Sequence, residues 1–197
     1  RTNAKVFSFQ RAYGAGAAKI ADYTGMLIDD VKDLIEAEEA MYPGVTEFND
    51  NVEKEVKRSA EPFKDWSRGG KTYRRGYWTA PTGTRYTFRT YDAPDYLRDK
   101  GVTDTFMPTE LKNYPIQGTC GEIVQIILGR LWRHFVANDN YGGKALLCNT
   151  VHDCVWFDFV PDVQEELCRD VKRIMESVPE ALNELYGMEV TVPFPVE

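Results

Sequence analysis

Residues 116–137 place Ile123, Ile127, Leu131 and Phe135 at every fourth position, which predicts one long helix with a single apolar stripe. A stripe of that length must be buried against other elements, and two β-rich stretches flank it. GYWTAPTGTRYTFR (76–89) is rich in β-formers around a Pro-Thr-Gly turn and predicts a hairpin. ALLCNTVHDCVWFDFV (145–160) predicts strand, tight turn, strand. The chain therefore reads as α+β, helix-rich, with two hairpins.

The remaining segments are shorter. Residues 1–13 read as a helix broken by the glycines of YGAGA, and 17–24 as a helix stopped at Gly25. Asp29 or Asp30 is expected to cap a helix through Met41, ended by Pro43 and Gly44. Val45, Phe48, Val52 and Val56 mark an amphipathic helix expected to run to about Phe63. Residues 137–143 read as a loop. Asp162 with Glu165 resembles a capping box before a helix spaced by Val163, Leu167, Val171 and Ile174. A helix from Pro179 to Tyr186 stops at Gly187, and VTVPFPVE is expected to close as an edge strand.

Composition excludes several classes. The 197 residues are 43% apolar, enough to bury a real core, and contain no run of the length a membrane span needs. Nothing resembles a signal peptide. Cys120, Cys148, Cys154 and Cys168 show no CxxC pairing and only His134 and His152 accompany them, which argues against a zinc site or disulfide scaffold. That cysteine usage fits a reducing, cytoplasmic setting. The net charge is -7, yet residues 54–89 hold ten Lys or Arg against three acids, and residues 154–197 hold ten acids against three bases. A phosphate-binding face beside an acidic surface would distribute charge in this way, as would an ordinary solvated face.

Three constellations bear chemistry. Arg1, Lys5, Phe9 and Tyr13 recur every four residues, so they share one side of a helix. Two cations followed by two aromatics suit a polyanion carrying a flat ring, such as a nucleoside triphosphate. The same spacing also suits a helix that buries Phe7, Phe9 and Tyr13 in a core. His152 and Asp153 sit at the tip of the second hairpin, where a carboxylate can hold Mg²⁺ or simply stabilise a turn. In NYPIQGTCGEI, Asn113 and Gln117 lie at the expected helix start, where amides can reach base edges in a minor groove or cap the helix.

In this order the motifs resemble those of family A (DNA polymerase I-like) DNA polymerases. R-x3-K-x3-F-x3-YG from Arg1 to Gly14 is similar to motif B, the fingers helix. N-x-P-x-Q-G from Asn113 to Gly118 is similar to the start of the minor-groove helix, and Val151-His152-Asp153 to motif C of the palm. GYWTAPTGTRYTF resembles the hairpin between fingers and palm, and VPFPVE the closing strand. The likeness runs nearly the whole chain, and the compact loops with an atypical motif C point to a phage type.

The resemblance implies fingers over 1–75 and the C-terminal part of an antiparallel palm over 76–197. It implies that Arg1 and Lys5 hold the incoming nucleotide's phosphates, with Lys5 also assisting the leaving pyrophosphate. Phe9 would pack on sugar and base and reject dideoxynucleotides. Tyr13 would stack at the templating position beside Gly14. Asn113 and Gln117 would read the minor groove of primer-template DNA, His152 would sit near the primer end, and Asp153 would bind Mg²⁺ for attack of the 3′-hydroxyl on the α-phosphate.

Two positions depart from the family pattern. Its usual HDE ends here in Cys154, and a thiol is a poor ligand for hard Mg²⁺. An Arg often found four residues before the Asn is Thr109, so one DNA contact is lacking. Motif A, which carries the other metal-binding Asp, is matched by no segment, and neither are the thumb or an exonuclease. Two metals about 3.5–4 Å apart need more than one Asp. The chain alone is therefore expected to be inactive, needing an N-terminal portion present as a separate or removed polypeptide. For a phage protein the setting is the host cytoplasm. Single-subunit phage-type RNA polymerases share the Lys and Tyr-Gly of the fingers helix and an HD motif, but Phe9 and NYPIQGT favour DNA polymerase. A non-catalytic DNA-binding remnant is the competing reading from another class. An HD-type phosphohydrolase needs more histidines than the two present.

Overall fold

The computed structural model describes residues 2–196, with side chains from Ala4 onward. The chain divides into two compact units, Arg1–Ile116 and Gln117–Glu197. The line drawn at 75/76 from the sequence runs through a strand of the first unit.

The first unit opens with α1 (Thr2–Ala12), α2 (Ala17–Thr24), α3 (Ile28–Met41) and α4 (Pro43–Arg58). Ala15, Ile20 and Val31 form a small core on which Phe7, Met26 and Ile35 pack. Gly25 ends α2 in the left-handed conformation, as expected. Neither Asp29 nor Asp30 caps α3. Leu27 occupies the N-cap without a side-chain bond, and the two carboxylates lie in the first turn, where they complement the helix dipole. Pro43 begins α4 rather than merely ending α3, because proline's missing N–H is harmless in a first turn. Nor does α4 reach Phe63. Pro62 cannot continue a helix, and β1 (Glu61–Asp65) follows instead.

The expected hairpin is the centre of a larger sheet. β2 (Lys71–Thr79) and β3 (Arg85–Asp92) join across a turn in which Ala80 N–H bonds Thr84 C=O and Gly83 N–H bonds Ala80 C=O. With β1 and β4 (Asp104–Phe106) they make a four-stranded antiparallel sheet in chain order. A four-residue helix, α5 (Asp95–Arg98), precedes β4. Val52 and Val56 of α4 pack on Trp78, Phe88 and Phe106, with Leu111 completing this core. Gly76 permits the contact: a Cβ there would lie 2.1 Å from the Val56 carbonyl oxygen.

The long helix, α6, runs Pro108–Ala137 and starts a full two turns earlier than expected. Pro115, read from sequence as part of the start, lies inside it and is buried. Asn113 and Gln117 thus sit within the helix rather than at its N-terminus.

In the second unit, Ile127, Leu131 and Phe135 of α6 form the buried stripe. The expected loop is α7 (Asp139–Gly143), a turn whose residues all have positive φ. Tyr141 tethers it, with its ring 5.4 Å from Phe135 and its hydroxyl donating to Asp170 Oδ2 at 3.2 Å. Strands β5 (Ala145–Val151) and β6 (Cys154–Phe159) form the second hairpin, with a bulge between Leu147 and Asn149. No capping box follows: a short 3₁₀ turn, Pro161–Val163, leads into α8 (Gln164–Glu176), whose N-cap has no side-chain bond. Asp162 is 3.6 Å from Lys144 instead. α9 (Val178–Tyr186) ends at left-handed Gly187, as expected. The closing residues to 196 form no strand. Pro193 and Pro195 lack ladder donors; Val190 and Phe194 pack on the core, and Val196 N–H donates to Glu176 Oε1 at 3.4 Å. The α+β class stands, with antiparallel sheet in each unit.

Candidate functional site

Helix α1 divides its aromatics. Phe7 turns into the small core, whereas Phe9 is 62% and Tyr13 44% exposed, with Lys5 exposed on the same side. The all-core reading of the helix is thereby excluded. Arg1 lies outside the described residues. The helix stops in a Schellman turn: Ala15 N–H donates to Gln10 C=O and Gly14 N–H to Arg11 C=O, both at 2.8 Å. Gly14 has φ +74°, and a Cβ there would meet Lys112 of α6 at 3.4 Å. Tyr13 therefore stands at a sharp exit that only glycine makes without strain.

Arg11, not a candidate from sequence, holds this helix in place. Its guanidinium donates to Glu38 Oε2 and Glu39 Oε1, each at 2.7 Å, and is largely buried. No periodicity marks it, because its partners lie at the end of α3. Beside it is a cavity of about 560 Å³ lined by Ser8, Arg11 and Ala12 of α1, Phe48 of α4, and Lys112 and Asn113 of α6. The structure thus brings Asn113 to the inner side of the helix that displays Lys5, Phe9 and Tyr13. Gln117, one turn further along α6, is exposed and belongs to the second unit.

The second unit carries the other candidates. Val151 pairs with Cys154, leaving His152 and Asp153 as a two-residue hairpin loop. His152 has φ +56°, a conformation that costs a non-glycine residue energy and concentrates at functional sites. His152, Asp153 and Cys154 are all exposed at this tip, and Cys154 Sγ lies 4.0 Å from Asp153 Oδ1.

A sequence profile of DNA polymerase family A matches residues 1–197. The chain belongs to DNA polymerase family A. It is 32% identical over 99 residues to the DNA polymerase of Mycobacterium phage D29, covering 49% of this chain and 14% of that protein. It is 25% identical over 210 residues to DNA polymerase I of Synechocystis, covering 100% of this chain and 18% of that protein. The POL domain of Pol1 from M. smegmatis, in complex with DNA primer-template and dNTP, shares the fold over 90% of this chain and 27% of its own, with TM-score 0.60 and 20% identity. The family A chain thus spans under a fifth of the curated relatives' length.

As a ligand set for Mg²⁺, the hairpin tip of this family A chain offers one hard oxygen group, Asp153. His152 and Cys154 are softer neighbours. Among the described residues no group of three or more His, Cys, Asp or Glu is arranged to hold a metal. No helix among the described residues is long and apolar enough to cross a membrane.

Proposed function

We propose that this chain is the fingers and C-terminal palm portion of a phage-type DNA-directed DNA polymerase, with fingers over 1–75 and palm over 76–197. It binds an incoming dNTP and primer-template DNA and contributes one Mg²⁺-binding Asp to nucleotidyl transfer. The observation that carries this reading is the exposed stripe of Lys5, Phe9 and Tyr13 on α1, held by Arg11 and closed at Gly14.

Lys5 sets a point charge against the nucleotide's phosphates, and Arg1, four residues earlier in the sequence, serves them too. Phe9 packs against sugar and base, and Tyr13 stacks at the templating position. Asn113 and Gln117 read the minor groove, while His152 approaches the primer end. Asp153 would hold Mg²⁺, which when bound stabilises charge on the transferring phosphate. The remaining metal-binding Asp would come from a motif A portion N-terminal to this chain, as would a thumb. The setting is the host cytoplasm.

Anisotropy of a labelled primer-template, with and without the matched dNTP, tests the reading. A matched dNTP is expected to tighten binding about tenfold, and Lys5→Ala to remove that increment without lowering the melting temperature. Binding indifferent to nucleotide would leave a DNA-binding remnant and overturn the proposal.

A further inference from the structure

Of the ten cations in residues 54–89, Arg75, Arg85 and Arg89 share one face of the four-stranded sheet. Residues opposite one another in register share a face, and so do alternate residues of a strand. Arg75 faces Arg89, Tyr77 faces Thr87, and Thr79 faces Arg85, so β2 and β3 alternate cation and ring across this surface. The opposite face, with Gly76, Trp78 and Phe88, is packed against α4.

Each ring on the face carries a cation. The Arg85 guanidinium lies 4.1 Å from the Tyr77 ring centre, Arg75 lies 5.4 Å from Phe63, and Arg89 lies 5.1 Å from Tyr91. Acids serve one end: Asp65 pairs with Arg68 and Arg89, and Asp92 with Lys71. Arg75 and Arg85 make no ion pair within 4 Å among the described residues, although Glu61 stands opposite Arg75 across the β1–β2 ladder. Arg75 also faces Arg89 directly, a like-charge pairing that Asp65, 3.5 Å from Arg89, offsets only from one side.

We propose that this sheet face binds single-stranded DNA, with Arg75 and Arg85 taking phosphates and bases stacking on the ring-backed guanidinium planes. An exposed guanidinium held over a tyrosine ring can offer a face to a base and its edge to phosphate oxygens. Alternating cations and rings are the pattern by which single strands are held without sequence preference. A duplex hides its base faces, and an acidic peptide supplies charge without rings. This sheet face is separate from the exposed stripe of α1.

The test is fluorescence anisotropy of labelled oligo(dT) with the full chain across a salt series. Arg75→Ala with Arg85→Ala is expected to weaken binding at least about tenfold and to flatten the log K against log salt slope by about 1.4. Arg75→Lys with Arg85→Lys keeps the slope but loses affinity severalfold, because the stacking planes are gone. Unchanged circular dichroism shows that each variant is folded. The alanine pair also keeps the dNTP-dependent increment that Lys5→Ala removes, so the two readings fail separately. No binding by the native chain, native affinity in the alanine pair, or competition by polyglutamate equal to that by oligo(dT) would each overturn the proposal.

Discussion

At the residue scale, Phe9 and Gly76 show what a sequence discloses and what it hides. Phe9 is legible because helical spacing aligns it with Lys5 and Tyr13, and its exposure then separates it from the core residue Phe7. In a polymerase containing this chain, Phe9→Tyr adds a hydroxyl where a dideoxy sugar lacks one. The ratio of dideoxy to deoxy incorporation should rise about tenfold or more in single-turnover assays. Gly76 carries no such signal, because its constraint is the Val56 carbonyl, brought close only by the fold. Gly76→Ala forces α4 off the sheet and should cost about 3 kcal/mol, read as a lower urea midpoint.

At the element scale, periodic segments were legible and their boundaries were less so. α1, α2, α9 and both hairpins follow from spacing and from Gly14, Gly25 and Gly187. β1 did not, since the pairing of Phe63 with Tyr73 that defines it is a contact between strands. Pro115 concealed the true start of α6, because a proline inside a helix reads from sequence as a boundary. Asp65 closes β1 and caps the 3₁₀ turn Trp66–Arg68, accepting from Ser67 N–H at 3.1 Å and from its hydroxyl. The Ser67 hydroxyl, with Arg68 and Arg89 nearby, holds this carboxyl below the ordinary carboxylate range despite the opposing effect of burial. A depressed folded pKa contributes stability above the unfolded value of about 4, and that contribution is lost as pH falls through the folded value. Melting temperature between pH 7 and pH 2.5 should therefore fall more steeply in the native chain than in Asp65→Asn.

At the scale of the whole molecule, each unit holds part of the proposed chemistry. The first unit displays the α1 stripe and the basic sheet face, and the second carries the hairpin tip with Asp153. The uneven charge is visible in sequence, but only strand register shows that Arg75, Arg85 and Arg89 share one face. The central claim concerns Asp153, the single palm carboxylate assigned to this chain. The direct test is primer extension with Mg²⁺ and dNTPs, using the chain alone and then supplemented with an N-terminal portion bearing motif A. The account predicts no extension by the chain alone, synthesis by the supplemented chain, and loss of that synthesis by at least about a thousandfold in Asp153→Ala. Extension by the chain alone, or native-rate synthesis by the supplemented Asp153→Ala chain, would contradict it.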